Sequence, residues 1–358
     1  MKKIISAFGL ALFAGSALAQ APGDIVFTNT MAVGDQRVDW YSVSGNINTT
    51  LFTFNDNLTQ LSDLELVGNT WYAVDRNQPP VSSPTSARVV QINDLFGTPV
   101  ASTLATSDPI QRGDGLRYDP NSGQLLFVNN PGSADAVSPR FEGILGINPS
   151  NGNVTEIYQQ PSLASPLPRW TDGIYMDRDV NSNDFFVVTG NGGAFGGSGE
   201  LNGSTLQRLS VDPNTLQGTA ELIVDLSDTS VTGLSVPLQR SRGVVAIPGT
   251  NDVYINDIER AAIYKITLDS NGDFQSIIEV NQGIWDSATD MTYDPFTNTL
   301  VIGNAGTNSP GLYRMTLDGS TVTTLVSGVF PRGIIIIPAP GAVGLLGAAG
   351  LVAMRRRR

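Results

Sequence analysis

Six short apolar segments recur along the chain, each with a polar start, at residues 62–67, 114–119, 172–177, 242–247, 289–294 and 332–337. Their starts are 52, 58, 70, 47 and 43 residues apart. No other feature constrains the fold as strongly, because a repeat of this length cannot bury its own apolar face and must pack against its neighbours. Each segment has the length of one strand, and each interval leaves room for about four strands with their turns.

The rest of each repeat supplies those strands. Second strands are expected at 71–75, 125–129, 185–189, 253–257 and 300–304, third strands at 88–92, 143–147, 206–211, 263–268 and 312–317, and fourth strands at 100–104, 154–158, 221–225, 276–280 and 322–326. Asp119-Pro120-Asn121-Ser122-Gly123 and Asp294-Pro295-Phe296-Thr297-Asn298 place proline second among small polar residues, which favours a tight antiparallel reversal. Five repeats are then complete. One strand, 332–337, is left at the C-terminal end, and three, 24–29, 38–43 and 50–54, are left at the N-terminal end. If Ile334 to Ile337 pair with Ile25 to Phe27, a sixth sheet closes and no edge stays open. The expected fold is all-β, a six-bladed β-propeller of four-stranded antiparallel blades closed by its N- and C-terminal strands. In this reading the four isoleucines are buried sheet, not part of a membrane span.

Composition agrees with a folded, turn-rich chain: 41% of residues are hydrophobic, 15% are charged, and there are 38 glycines and 21 prolines. With no cysteine and no histidine, disulfides, thiol catalysis, Ser-His-Asp triads and the common zinc sites are excluded.

The ends have a different character. Lys2-Lys3, the apolar run Ile4 to Ala14, and Ala17-Leu18-Ala19 before Gln20 have the order of a signal peptide cut by signal peptidase, with an uncleaved N-terminal anchor as the alternative. At the other end Pro338-Ala339-Pro340 precedes an apolar stretch, Ala342 to Met354, and then Arg355, Arg356, Arg357 and Arg358. A basic end held in the cytoplasm leaves the folded part outside. The 16 residues from Ala339 to Met354 span ~24 Å as a hydrophobic helix, slightly short for a hydrocarbon core of ~30 Å. The expected organisation is thus a signal peptide at 1–19, a propeller at 20–337 and a sorting or transmembrane segment at 338–358. Without Lys2, Lys3 and the last four arginines, the 21 basic residues fall to 15 against 33 acidic ones, a formal charge of −18. Such a surface repels nucleic acid.

This tail resembles the PEP-CTERM sorting signal, in a variant with Pro-Ala-Pro for Pro-Glu-Pro. The resemblance covers Pro338 to Arg358 and implies recognition by an exosortase-type transpeptidase of a Gram-negative bacterium. Cleavage would release the protein or fix it to the cell surface or extracellular matrix. A permanent membrane anchor is the alternative, and both place the propeller outside. Residues 24–337 resemble six-bladed propellers of lactonase-like and NHL type in architecture, without a family-defining motif.

Antiparallel pairing puts the start of each inner strand and the end of its neighbour on one face. That face collects Asp63, Asp114, Asp172 and Asp290, with Arg242 and Arg332, and then Asn29, Asp75, Asn129, Asp257 and Asn304. Such groups at a channel mouth suit Ca²⁺ or a polyhydroxylated or cationic ligand, or they bond their own turns and stitch blades together. The lactonase-like resemblance implies a divalent metal in the channel, but no Glu stands at an aligned strand start or second-strand end. Asp177, Asp179 and Asn181 imitate the front of a calcium loop, with Ser182 where an EF-hand has glycine; a polar hairpin turn is the competing reading. Asp269-Ser270-Asn271-Gly272-Asp273 reads as a turn, and the glycine-rich stretch from Gly190 to Gly199 as a surface loop able to cover the channel. Trp40, Trp71, Trp170 and Trp285 are expected in blade cores or at the channel mouth. The leading functional expectation is a non-enzymatic, surface-displayed propeller that binds a glycan or matrix ligand or serves structurally. The alternative is a secreted calcium-dependent hydrolase.

Overall fold

The computed structural model describes residues 20–30, 36–54, 61–76, 87–106, 110, 113–129, 143–159, 172–179, 181–190 and 204–339. Both terminal segments, Trp170 and most of the glycine-rich loop lie outside the described residues. Six four-stranded antiparallel sheets form the structure. One joins β1 (Ile25–Thr30), β2 (Gln36–Ser42) and β3 (Ile47–Phe54) to the last strand of the chain. The next three are β4 (Leu61–Val67), β5 (Thr70–Asp75), β6 (Arg88–Asn93) and β7 (Val100–Ala105); β8 (Gly113–Asp119), β9 (Gln124–Asn129), β10 (Gly143–Ile147) and β11 (Val154–Gln159); and β12 (Asp172–Arg178), β13 (Phe185–Gly190), β14 (Thr205–Val211) and β15 (Gly218–Asp225). A four-residue helix, α1 (Thr229–Thr232), precedes β16 (Ser241–Ala246), β17 (Asp252–Asp257), β18 (Ala262–Leu268) and β19 (Phe274–Gln282). Last come β20 (Ala288–Asp294), β21 (Thr299–Asn304), β22 (Gly311–Thr316) and β23 (Val322–Ser327), followed by β24 (Pro331–Ile336). Among the described residues no helix is long and apolar enough to cross a membrane.

The inner strands follow one another around an axis in the order β4, β8, β12, β16, β20 and β24, and β24 returns to β4. This is a closed six-bladed β-propeller, and its closure is the expected one. Phe27, Val26 and Ile25 pair with Ile334, Ile335 and Ile336. Ile337 adds a bond from its N–H to the Asp24 carbonyl (2.7 Å). One expectation needs correction: Ile334 and Ile337 are buried, but Ile335 and Ile336 are only partly so. At the exit of an inner strand, no neighbouring blade covers every side chain.

Apolar packing sits between blades. Each of the six core clusters draws on two adjacent sheets, as where Val26 and Trp40 meet Leu64 and Trp71, or Phe27 and Ile334 meet Val301 and Leu312. Full burial of one such side chain contributes about 1.5–3 kcal/mol, and it does so only while the neighbouring blade is in place. Trp40, Trp71 and Trp285 are buried in these cores, with Phe96 edge-on to Trp40 at 5.9 Å.

Candidate functional site

Every inner strand breaks its pairing register at the same place, one to three residues from its start. Such an irregularity twists the strand and re-aims a side chain. In two blades the re-aimed residue is an aspartate preceded by a hydroxyl, Ser62-Asp63 and Thr289-Asp290. These pairs do the same thing in both blades. Ser62 Oγ donates to the Gly113 carbonyl (2.7 Å) and Thr289 Oγ1 to the Pro331 carbonyl (2.9 Å), each on the next blade. Asp63 then accepts from the N–H groups of Leu64 and, across the gap, Leu116 (both 2.7 Å). Asp290 accepts from Met291 (2.9 Å) and, across its gap, Ile334 (2.8 Å). In β24 the corresponding residue is Gly333, where a Cβ would lie 2.4 Å from the Leu64 nitrogen, so only glycine lets β24 approach β4.

Further along the channel the same bridging recurs with longer reach. Glu65 accepts from Leu66 N–H (3.0 Å) and from Tyr118 N–H on the next blade (3.3 Å), and Asp177 accepts from Ala246 N–H (3.0 Å). Inner strands of adjacent blades do not pair with each other, so their facing N–H groups need acceptors. Carboxylates supply them.

Arg117 occupies the hub. Its Nη1 donates to Asp63 (2.9 Å) and to the Leu116 carbonyl (2.7 Å), its Nη2 to Asp290 (3.4 Å), and its Nε stands 3.7 Å from Asp177. The side chain is 11% exposed. One guanidinium therefore ties its own blade to three others. Burial disfavours its charge, but Asp63, Asp290, Asp177 and Glu65 outweigh that and hold its pKa above the ordinary value. The acids exceed what one cation can balance. Burial pushes Asp63, Asp177 and, most strongly, Asp290 upward against the pull of Arg117, and mutual repulsion with Asp63 adds to the rise at Asp290. Burial likewise pushes Glu65 up to about 7, although the residue is only partly buried.

Toward the strand starts Asp114 pairs with Arg76 Nε at 2.8 Å, both buried. Tyr175 lies within the electrostatic reach of Asp114, Arg242, Arg332 and Arg76, and burial first, then Asp114, push its hydroxyl up to about 12. Asp172 differs from expectation: it pairs with Gly190 just before the break in register, the place Gly113 holds opposite Asn129, so it falls one residue short of Asp114's place. Its side chain is outside the described residues.

The second-strand ends face their own loops. Asp257 accepts from the N–H groups of Gln239, Arg240 and Arg260 (2.9–3.0 Å). Asn304 accepts from Ser287 N–H (3.0 Å) and donates to Ile284, Asp286 and Ser309. Asp75 pairs with Arg88 at 3.1 Å, Asn29 donates to Asp39 (2.7 Å), and Asn129 is buried between β8 and β10.

Asp177, Asp179 and Asn181 do not converge. Asp177 turns into the channel, Asp179 accepts from Asn181 N–H (3.0 Å) and Ser182 Oγ (2.6 Å), and Asn181 donates to the Thr250 carbonyl (2.8 Å) on the next blade. Asp179 to Asn183 is a third copy of the hairpin turn seen from Asp119 to Gly123 and from Asp294 to Asn298. Its closing residue, Asn183, has φ 68, where Gly123 has 71 and Asn298 has 53. Asp179 and Asn181 also line a cleft of roughly 360 Å³ between the β12–β15 and β16–β19 blades, with Asp252 and Asp269 on its far wall. Among the described residues no three acidic side chains are placed to hold one metal ion.

Reading only strand starts and ends missed Arg117 and Glu65. Both lie mid-strand at equivalent places on adjacent blades, with opposite charges and on the channel-facing alternation, and that was the available signal.

The architecture is shared with solved structures. A chain from a nidogen/laminin complex superposes with a TM-score of 0.58 at 11% identity, over 88% of this chain and 99% of that one. A protein described as a putative gluconolactonase gives 0.53 at 13% identity, over 78% and 81%. No family model and no curated protein matches the chain. At such identities the likeness is one of fold alone. The class that fold and hub define is a six-bladed β-propeller whose blades are joined across the channel by carboxylates and Arg117.

Proposed function

We propose that this protein is an exported, envelope-held propeller that works by binding or scaffolding, with its tail read by an exosortase-type transpeptidase or kept as an anchor. One observation carries the non-catalytic part. The channel carboxylates Asp63, Glu65, Asp177 and Asp290 are each bonded to a backbone N–H of the neighbouring blade. A general base or metal ligand needs an oxygen free to face the substrate, and these oxygens are engaged in holding the ring together. Leader, acidic surface and tail support export to the cell surface or extracellular matrix, and the mouth and its loops are the surface offered to a glycan or matrix ligand. A panel of lactones with and without added Ca²⁺ tests the reading: no turnover is expected. Turnover abolished by Asp290→Asn, with the fold intact, would establish the hydrolase instead. Mass spectrometry of the mature protein tests export and sorting, with ends expected near Gln20 and Pro340.

A further inference from the structure

The chain leaves the propeller on the face opposite the mouth. Ile337 is the last residue tied into the sheet, since its N–H donates to Asp24 (2.7 Å) and its carbonyl accepts from Gly23 (3.0 Å). Pro338 follows without a spacer. Together with Tyr293, Pro295, Phe296, Ile335 and Ile336 it lines an open apolar cavity of about 450 Å³, and Ala339 sits at its rim. Phe296 crowns the β20–β21 turn at 47% exposure, and Pro295 beside it is also exposed. A phenyl ring, a proline and two half-covered isoleucines side by side leave apolar area in water that a covering partner would remove.

Chain continuity names the partner. The sequence turns apolar again at Ala342, three residues beyond Ala339, and stays so to Met354 before the four arginines. Three residues span at most about 11 Å, so any bilayer that takes up this tail lies against the cavity at Phe296. A tyrosine such as Tyr293 favours the headgroup level, and an apolar face carrying phenylalanine buries at the boundary of headgroups and acyl chains. The hairpins of this face also carry Asp269 and Asp318, which oppose anionic headgroups.

We propose that the patch formed by Tyr293, Pro295, Phe296, Ile335 and Ile336 is the membrane-contact surface of the propeller, seated in the headgroup region of a zwitterionic phospholipid bilayer. The inference rests on the tail being membrane-borne. It orients the molecule, with Asp114 and Arg76 turned away from the membrane.

The chain has no cysteine, so a single introduced thiol reports one place. The full-length protein, tail included, carries a polarity-sensitive fluorophore at Phe296→Cys or, as a control on the mouth side, at the exposed Val236→Cys. Both are reconstituted into phosphatidylcholine vesicles with or without nitroxide-headgroup lipid. Expected are vesicle flotation, a shift to shorter wavelength and quenching at position 296, and neither change at 236. Flotation with position 296 still water-like overturns the contact surface and leaves the tail reading standing. Failure to float overturns both. A short-wavelength signal at 296 before vesicles are added shows that another part of the chain covers the patch, and also overturns the proposal.

Discussion

Replacing Arg117 with methionine removes the one cation at the hub while keeping most of its bulk. Three carboxylates lose a partner, at 2.9, 3.4 and 3.7 Å, and the Leu116 carbonyl loses a donor. With an effective dielectric constant of about 20, each unit pair at such distances attracts by roughly 4–6 kcal/mol, but desolvation offsets much of this. The net cost of breaking a buried pair is about 3–5 kcal/mol at pH 8. For a domain of this size that corresponds to a fall of roughly 4–8 °C in Tm. The sign of the pH dependence follows from the directions at Asp63, Asp177 and Asp290, all raised by burial. Acid neutralises these groups in the folded state, and a neutral carboxyl needs no arginine. The penalty is therefore largest at high pH and shrinks as pH falls. Urea titration followed by fluorescence of the buried Trp40, Trp71 and Trp285 measures it, with Asp290→Asn completing a double-mutant cycle whose coupling should be about 1–3 kcal/mol. A variant as stable as the parent at pH 8, or a penalty that does not shrink as the carboxylates are titrated with acid, would refute the hub.

The other predictions follow from single contacts. The Glu65 pKa is raised from 4.5 to about 7, so its protonation favours the folded state below pH 4.5 and that contribution is lost as pH rises through 7. The rise corresponds to about 3 kcal/mol at most, and lumen water reduces it, so Glu65→Gln should gain roughly 1–2 kcal/mol on its parent between pH 5 and pH 8 in urea titrations. Gly333→Ala forces a Cβ to 2.4 Å from Leu64 N and 2.6 Å from Asp63, and should open the closure between β24 and β4, lowering Tm and raising protease sensitivity. Ile334→Ala, at 1% exposure, should cost about 2–5 kcal/mol by the same titration. Millimolar chelator should leave Tm unchanged; a calcium-dependent rise in Tm, lost in Asp114→Ala and Asp172→Ala, would show a metal centre.

The architecture was legible because its determinants are local and repeated. Alternation, turn chemistry at Asp119-Pro120 and Asp294-Pro295, and the count of leftover strands led to the closure of Ile334 on Phe27. The hub was less legible, because its contacts join residues 53, 69 and 173 apart whose meeting depends on the ring being closed. Asp172 shows the limit within one repeat: aligning apolar runs put it level with Asp114, but the pairing register puts it level with Gly113, one residue earlier, and no residue type in the segment announces that offset. Asp177 reads as part of a calcium-like run only while it is grouped with Asp179; in the fold Asp177 belongs to β12 and faces Arg117, whereas Asp179 lies past the strand's last residue, Arg178, and accepts bonds within its own hairpin turn.

Apolar packing and the hub divide the work of specifying this ring. The six inter-blade cores are built from Val, Ile, Leu and aromatic side chains that would tolerate small slips of one blade on the next. A slip at the hub is not tolerated, because it separates Asp63 from Leu116 N–H or Asp290 from Ile334 N–H and leaves a buried charge beside an unpaired donor. Polar bridges of this kind add little net stability against an apolar replacement, yet they penalise every wrong register. Arg117 reaches Asp63, Asp177 and Asp290 together only when their three blades and its own are correctly seated, so it reports completion of the ring in a way no apolar contact can.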